Sequence, residues 1–212
     1  MATDTRQRMI RSTARLIRRQ GYYGTGLNDI VAEADAPKGS LYFHFPGGKV
    51  QLAAEALDLF GTNVERMLAD GIVELGSASA AVAAYLDRVA DGFDARGTGN
   101  GCAIAVVAAE AAPSEPALAE ATSRALRLWT DGLTRQLVSE GHTEAQAHAL
   151  ATTAIAAIEG AILLGRGTGS SAPVREVRDV VATLLAAPPA APGAAQAKTK
   201  ARNTRKRTPP AK

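Results

Sequence analysis

Aromatic residues are scarce: 212 residues hold nine rings, four Phe, four Tyr and one Trp. A single cysteine, Cys102, excludes an intramolecular disulfide and fits a reducing compartment. The longest apolar run, residues 149–165, contains two Thr and a Glu. It falls short of the roughly 20 residues a spanning helix needs, so no membrane span is expected. The first twelve residues carry charges but no apolar stretch, so no secretory signal is expected and a cytoplasmic location is. Alternating Val/Ile/Thr runs and Asn-Gly hairpins are missing, which argues against a sheet. Catalytic signatures are poor. The glycines at 165, 167 and 169 follow a helical pattern rather than a strand, and Gly47-Gly48-Lys49 lacks the rest of a P-loop. His44, His142 and His148 show no metal-ligand spacing with one another or with Cys102. No enzyme, cofactor or metal is expected.

Charge is unevenly placed. Residues 1–50 carry eight Lys/Arg against four Asp/Glu, residues 51–188 nine against seventeen, and residues 189–212 seven against none. A basic head, an acidic body and a basic tail point to a polyanion met at the ends. The tail, from residue 188, is rich in Ala, Pro and Lys/Arg with nothing to bury, and is expected to be disordered.

Helical periodicity fills the rest. Helices are expected over about 5–20, 27–34, 38–44, 49–72, 78–96, 102–112, 116–141, 144–165 and 173–187, about nine in an all-α chain. The second and third are too short to stand alone. Joined by Asp35-Ala36-Pro37 and held between two long helices, they form a helix-turn-helix over about 26–45. The turn needs a positive φ, which Asp35 would take as one of the few tolerant non-glycine residues.

The rings crowd here. Tyr42, Phe43 and Phe45 lie within four residues, with His44 between them. At 100° per residue, Leu41 and Phe45 face the small core, while Tyr42 and Phe43 point outward beside Lys38 and Gly39. An outward Tyr offers a hydroxyl to phosphate, and Phe can press on a thymine methyl. Lys49 opens the next helix, where the dipole disfavours a cation unless a phosphate arrives.

The segment 21–52, GYYGTGLNDIVAEADAPKGSLYFHFPGGKVQL, resembles the DNA-binding domain of TetR-family transcriptional regulators. Details such as Gly24-Thr25-Gly26-Leu27-Asn28 and Phe45-Pro46-Gly47-Gly48-Lys49 are similar to a subgroup that includes the LmrA-type drug-resistance repressors. The resemblance implies a DNA-binding domain over residues 3–63 and a ligand-binding, dimerising helical domain over 64–187. It implies a homodimer on a double-stranded operator, and a small-molecule effector. The recognition-helix positions would be Lys38, Gly39, Ser40, Tyr42, Phe43 and His44. Thr25 and Gly26 would start the second helix, and Lys49 would meet phosphate. Two positions depart from the pattern: Gly26 stands where Thr or Ser usually caps the helix, and Asp35 replaces the usual turn Gly.

The body carries apolar stripes at Ala151, Ile155, Ile158, Ile162 and Gly165, at Ala154, Ala157, Ala161 and Leu164, and at Val174, Val177, Val181 and Leu184. Helices apolar nearly all round need cover from a partner subunit as well as from their own body. Its few large side chains leave room for a cavity, with Phe60, Met67, Tyr85, Phe93 and Trp129 as candidate walls and Thr62, Asn63 and Glu110 as polar groups. Cys102, opening a helix, admits a redox-sensor reading if exposed. An architectural DNA-coating role is the alternative, kept open by the basic tail.

Overall fold

The computed structural model describes residues 2–96 and 101–188, so the basic tail from residue 189 lies outside the described residues. These residues form nine α-helices and no strand: α1 (Ala2–Gln20), α2 (Leu27–Glu33), α3 (Ser40–His44), α4 (Gly48–Leu75), α5 (Ala78–Arg96), α6 (Ala103–Glu110), α7 (Pro116–Ser139), α8 (Glu144–Thr168) and α9 (Ala172–Leu185). Local chemistry sets the ends. Gly21 (φ 80°) stops α1, and Gly76 (φ 81°) caps α4. Thr143 accepts from the Gln146 N–H, while the Gln146 side chain accepts from the Thr143 N–H, a capping box that starts α8.

Two cores form. The smaller joins Met9, Ile10 and Leu16 of α1 to Ile30 and Val31 of α2, Leu41 and Phe45 around α3, and Leu52 and Ala56 of α4. The larger is built from α4 to α9 and takes in Ile17 and Tyr22 at the end of α1. The boundary anticipated at 63/64 falls inside α4, one continuous helix that lends Leu52 and Ala56 to the head and Ala53 and Leu57 to the body.

Three expectations change. The third helix begins at Ser40 rather than Lys38: the Ser40 N–H and hydroxyl both donate to the Pro37 carbonyl, a turn that leaves Lys38 and Gly39 outside the helix. The eighth helix is longer than its apolar run, and at 25 residues it is long and apolar enough to cross a membrane. It packs instead against α7 and α9, with Ala147, Ala151, Ala154, Ile158, Ala161 and Ile162 buried. Third, the apolar stripes, expected to be covered partly by a partner, lie mostly within their own subunit: Ala151, Ala154, Ile158, Ala161, Ile162, Gly165, Val174 and Val181 are buried and Ile155, Ala157, Val177 and Leu184 half-buried, leaving Leu164 exposed. The outward apolar groups on α8 and α9 are Leu163, Leu164 and Val180.

Candidate nucleic-acid interface and head–body junction

α3 is anchored on one side and bare on the other. Leu41 and Phe45 are buried, whereas Tyr42 is 64% and Phe43 79% exposed. Arg6 lies 5.0 Å over the Phe45 ring and pairs with Glu55 at 2.6 Å, bracing the anchor from α1 and α4. The turn before α2's partner helix forms as expected, with Asp35 at φ 46°. Arg8 donates to the carbonyls of Ala34 (2.8 Å) and Asp35 (3.1 Å), fixing the end of α2 and the turn to α1. Lys38 and Tyr42 face Gly26, Asn28 and Asp29 across a groove of about 440 Å³. The exposed side of α3 and the first turn of α2 therefore share one surface. His44 is half-buried and meets the edges of Phe43 and Phe45, so it reaches that surface less fully.

Three candidate DNA contacts sit otherwise than the sequence implied. Thr25 is buried, and its hydroxyl donates to the Gly21 carbonyl at 2.6 Å, a structural use that withdraws it from solvent. The Gly26 N–H donates to the Asp29 carboxylate at 3.2 Å, occupying the donor reserved for phosphate. Lys49 is half-buried, its ammonium 4.2 Å from the Tyr22 ring centroid. Burial lowers its pKa, with Glu110 acting in the opposite direction.

Behind this surface the head is tied to the body at the end of α1. The Glu110 carboxylate accepts from the backbone N–H of Tyr22 (2.8 Å) and of Tyr23 (3.4 Å). Gly21 runs so close to that carboxylate that a Cβ there would collide with it. Gly101 donates to the Arg18 carbonyl (3.0 Å) and accepts from the Arg18 side chain (3.0 Å). Arg166 of α8 donates to the carbonyls of Arg18 (3.4 Å) and Arg19 (3.2 Å). A cation on the last carbonyls of a helix satisfies orphan acceptors and complements the dipole.

This two-faced α3, seated in a three-helix head and joined through α4 to a helical body, is matched by known proteins. Residues 9–56 match the family model for bacterial regulatory proteins of the tetR family, and residues 78–180 that for the LmrA/YxaF-like regulator C-terminal domain. The HTH-type transcriptional regulator LmrA of Bacillus subtilis is 35% identical over 182 residues, 86% of this chain and 97% of that protein. The chain belongs to the TetR family of transcriptional regulators. It is a DNA-binding regulator and not an enzyme. The repressor DhaR of a Mycobacterium species is 24% identical over 167 residues, 76% of this chain and 82% of that one. A TetR regulator from Chloroflexus aurantiacus superposes with a TM-score of 0.73 at 28% identity, over 88% of this chain and 96% of that one.

Within this TetR-family body the residues anticipated around a ligand are scattered. Trp129 is buried with its indole N–H on the Gly61 carbonyl (2.8 Å) and its ring against Phe60, and Phe93 is buried in the core. Met67 and Thr62 are exposed, and Asn63 accepts from Arg66. Tyr85 is half-buried beside the main core. Only Glu110 lines the apolar cavity of about 510 Å³ that opens between α6, α8 and the end of α1. The sequence offered no sign that Gly21, Glu159 or Arg166 would meet there. Cys102 lies in its wall, and burial raises the thiol pKa, so the exposed thiolate that a redox sensor needs is absent.

Glu159 is the anomaly of that wall. Its Oε2 is buried with no hydrogen-bond partner. Burial pushes the carboxyl above its ordinary 4.5, with the Cys102 thiol acting the other way. The folded protein thus holds this proton more tightly than the unfolded chain does, and stability is lost as pH rises above the unfolded value. Glu159→Gln should therefore stabilise the protein at neutral pH, with the gain vanishing below pH 4.5. Denaturant midpoints from pH 4 to 8 check this; a gain that persists at the lowest pH contradicts it.

Proposed function

We propose that the chain works as a cytoplasmic homodimeric repressor that occupies a pseudo-palindromic operator and is released by a small apolar molecule. The observation that carries it is the bare side of α3, where Tyr42 and Phe43 stand exposed next to Lys38 while Leu41 and Phe45 hold the helix in place. Two adjacent exposed rings beside a lysine suit a nucleic-acid partner, the tyrosine hydroxyl meeting phosphate and the phenylalanine ring a thymine methyl or sugar. Leu163, Leu164 and Val180 supply an apolar face on α8 and α9 for a second subunit. Dimerisation would place two heads on half-sites about 34–36 Å apart or a multiple of that. The name of DhaR supports the repressor sense.

Lys38 reads base edges, whereas Tyr42 and Lys49 position the head on phosphates, Lys49 by leaving the Tyr22 ring. Gly39 and Ser40 let the backbone approach closely. On duplexes recovered by genome-wide mapping of bound DNA, Lys38→Ala should relax preference at one position per half-site, costing roughly 1–3 kcal/mol there. Tyr42→Phe and Lys49→Ala should weaken operator and random DNA alike, and Lys49→Ala should reduce the salt slope by about one. An unchanged slope in Lys49→Ala would remove that residue from the interface.

A further inference from the structure

The cavity between α6, α8 and the end of α1 has the size and lining of a small-molecule site. About 510 Å³ falls within the range of roughly 300–1,000 Å³ typical of such pockets. Its walls are apolar and low, with Ala105 and Ala109 on one side and Gly160 and Ile162 on the other. Its polar groups are few and unequal. Arg166 is engaged on the carbonyls of Arg18 and Arg19, and Glu110 on the N–H groups of Tyr22 and Tyr23. Glu159 takes a hydrogen bond from the Cys102 thiol, but its Oε2 stays buried with no partner.

We propose that this cavity binds a lipophilic amine, its ammonium paired with Glu159 and its apolar part lying on the alanine and glycine walls. A neutral donor would satisfy one lone pair but leave any charge on the carboxylate uncompensated, whereas a cation does both. An anion would meet Glu159 and Glu110 with the only lining guanidinium already committed. The excess of Asp and Glu over residues 51–188 raises the local concentration of cations further. The identification rests on the effector reading above and gives it a location. Glu110 and Arg166 both line the cavity and hold the head, so an occupant that displaces them shifts the reading head without touching DNA.

Calorimetric titration of the full chain with 2-(1-naphthyl)ethylamine, 2-(1-naphthyl)ethanol and 1-naphthaleneacetic acid tests it. The amine should bind more tightly than the alcohol by at least about tenfold, the size of one charge-assisted hydrogen bond, and the acid should bind weakest. Glu159→Gln should erase the preference for amine while leaving the alcohol unchanged. Gly160→Leu and Ala109→Phe should fill the cavity from opposite walls and weaken amine and alcohol together. A Cβ on Gly160 meets no atom within 4 Å, and leucine is the better helix former, so this variant should fold. Equal binding of amine and alcohol, no binding of the amine, a preference surviving Glu159→Gln, or binding indifferent to both cavity-filling variants would overturn the site. Amine binding that leaves operator affinity unchanged would uphold the site and sink the effector reading. Operator release by another compound, undiminished in both filled variants, would uphold the effector reading and sink the site.

Discussion

Phe45→Ala should abolish operator binding while the body stays folded. Phe45 is fully buried, and deleting such a ring costs about 3–5 kcal/mol. The head has little to offset that loss. Its core has ten buried residues with Phe45 the one ring among them, and α3 is only five residues long, too short to persist without its anchor. Arg6 would lose the face it lies on, and Leu41 would lose its i,i+4 partner. The body core, centred on α4 to α9, does not include Phe45. Limited proteolysis should therefore cut between α2 and α4 in the variant, while Trp129 fluorescence keeps its native position. Operator binding at wild-type affinity would show that α3 is not held by this ring.

The second large effect lies in the body. Trp129→Ala should cost about 3–5 kcal/mol from the lost ring alone. It also removes the indole N–H from the Gly61 carbonyl (2.8 Å), which keeps its backbone partner within α4, so this bond adds only about 0.5–1.5 kcal/mol. Gly61 packs against Ala125 so closely that a Cβ there would meet the alanine's at 2.8 Å, which leaves α4 and α7 little freedom to collapse into the space. Trp129→Phe should be milder, keeping a ring against Phe60 and losing the hydrogen bond and the volume of one fused ring. Urea unfolding of the two variants separates these costs. A Trp129→Ala protein of near wild-type stability with altered ligand affinity would make Trp129 a ligand contact rather than a core ring.

What the sequence disclosed follows from the range of the interactions involved. The division of α3 into a buried and a bare side is a matter of angles between neighbours, so Leu41, Phe45, Tyr42 and Phe43 were legible at 100° per residue. Asp35's positive φ was legible because a three-residue turn between two short helices admits few solutions. Thr25 was misplaced because its hydroxyl turns back to Gly21, a local bond that competes with any outward use. The junction was illegible for a different reason. Glu110 meets Tyr22 from 88 residues away, and Arg166 meets Arg18 from 148. No periodicity encodes such pairings. Phe93 and Trp129 were drawn into a ligand cavity because size alone does not separate a core ring from a pocket wall. The cavity beside α6 and α8 is lined in part by small residues, Gly21, Gly101, Ala105, Ala109 and Gly160, whose lack of bulk leaves the space.

The most direct test of the account is a hydroxyl-radical footprint of the full chain on a bound genomic duplex, with the stoichiometry of the complex measured in parallel. An even number of chains should give two protected patches related by a two-fold axis, centred about 34–36 Å apart or a multiple of that. Tyr42→Ala with Phe43→Ala should erase both patches together while the free protein keeps its fold and its subunit number. Protection of a single asymmetric site by one chain, or a footprint unaltered in that double variant, would contradict it.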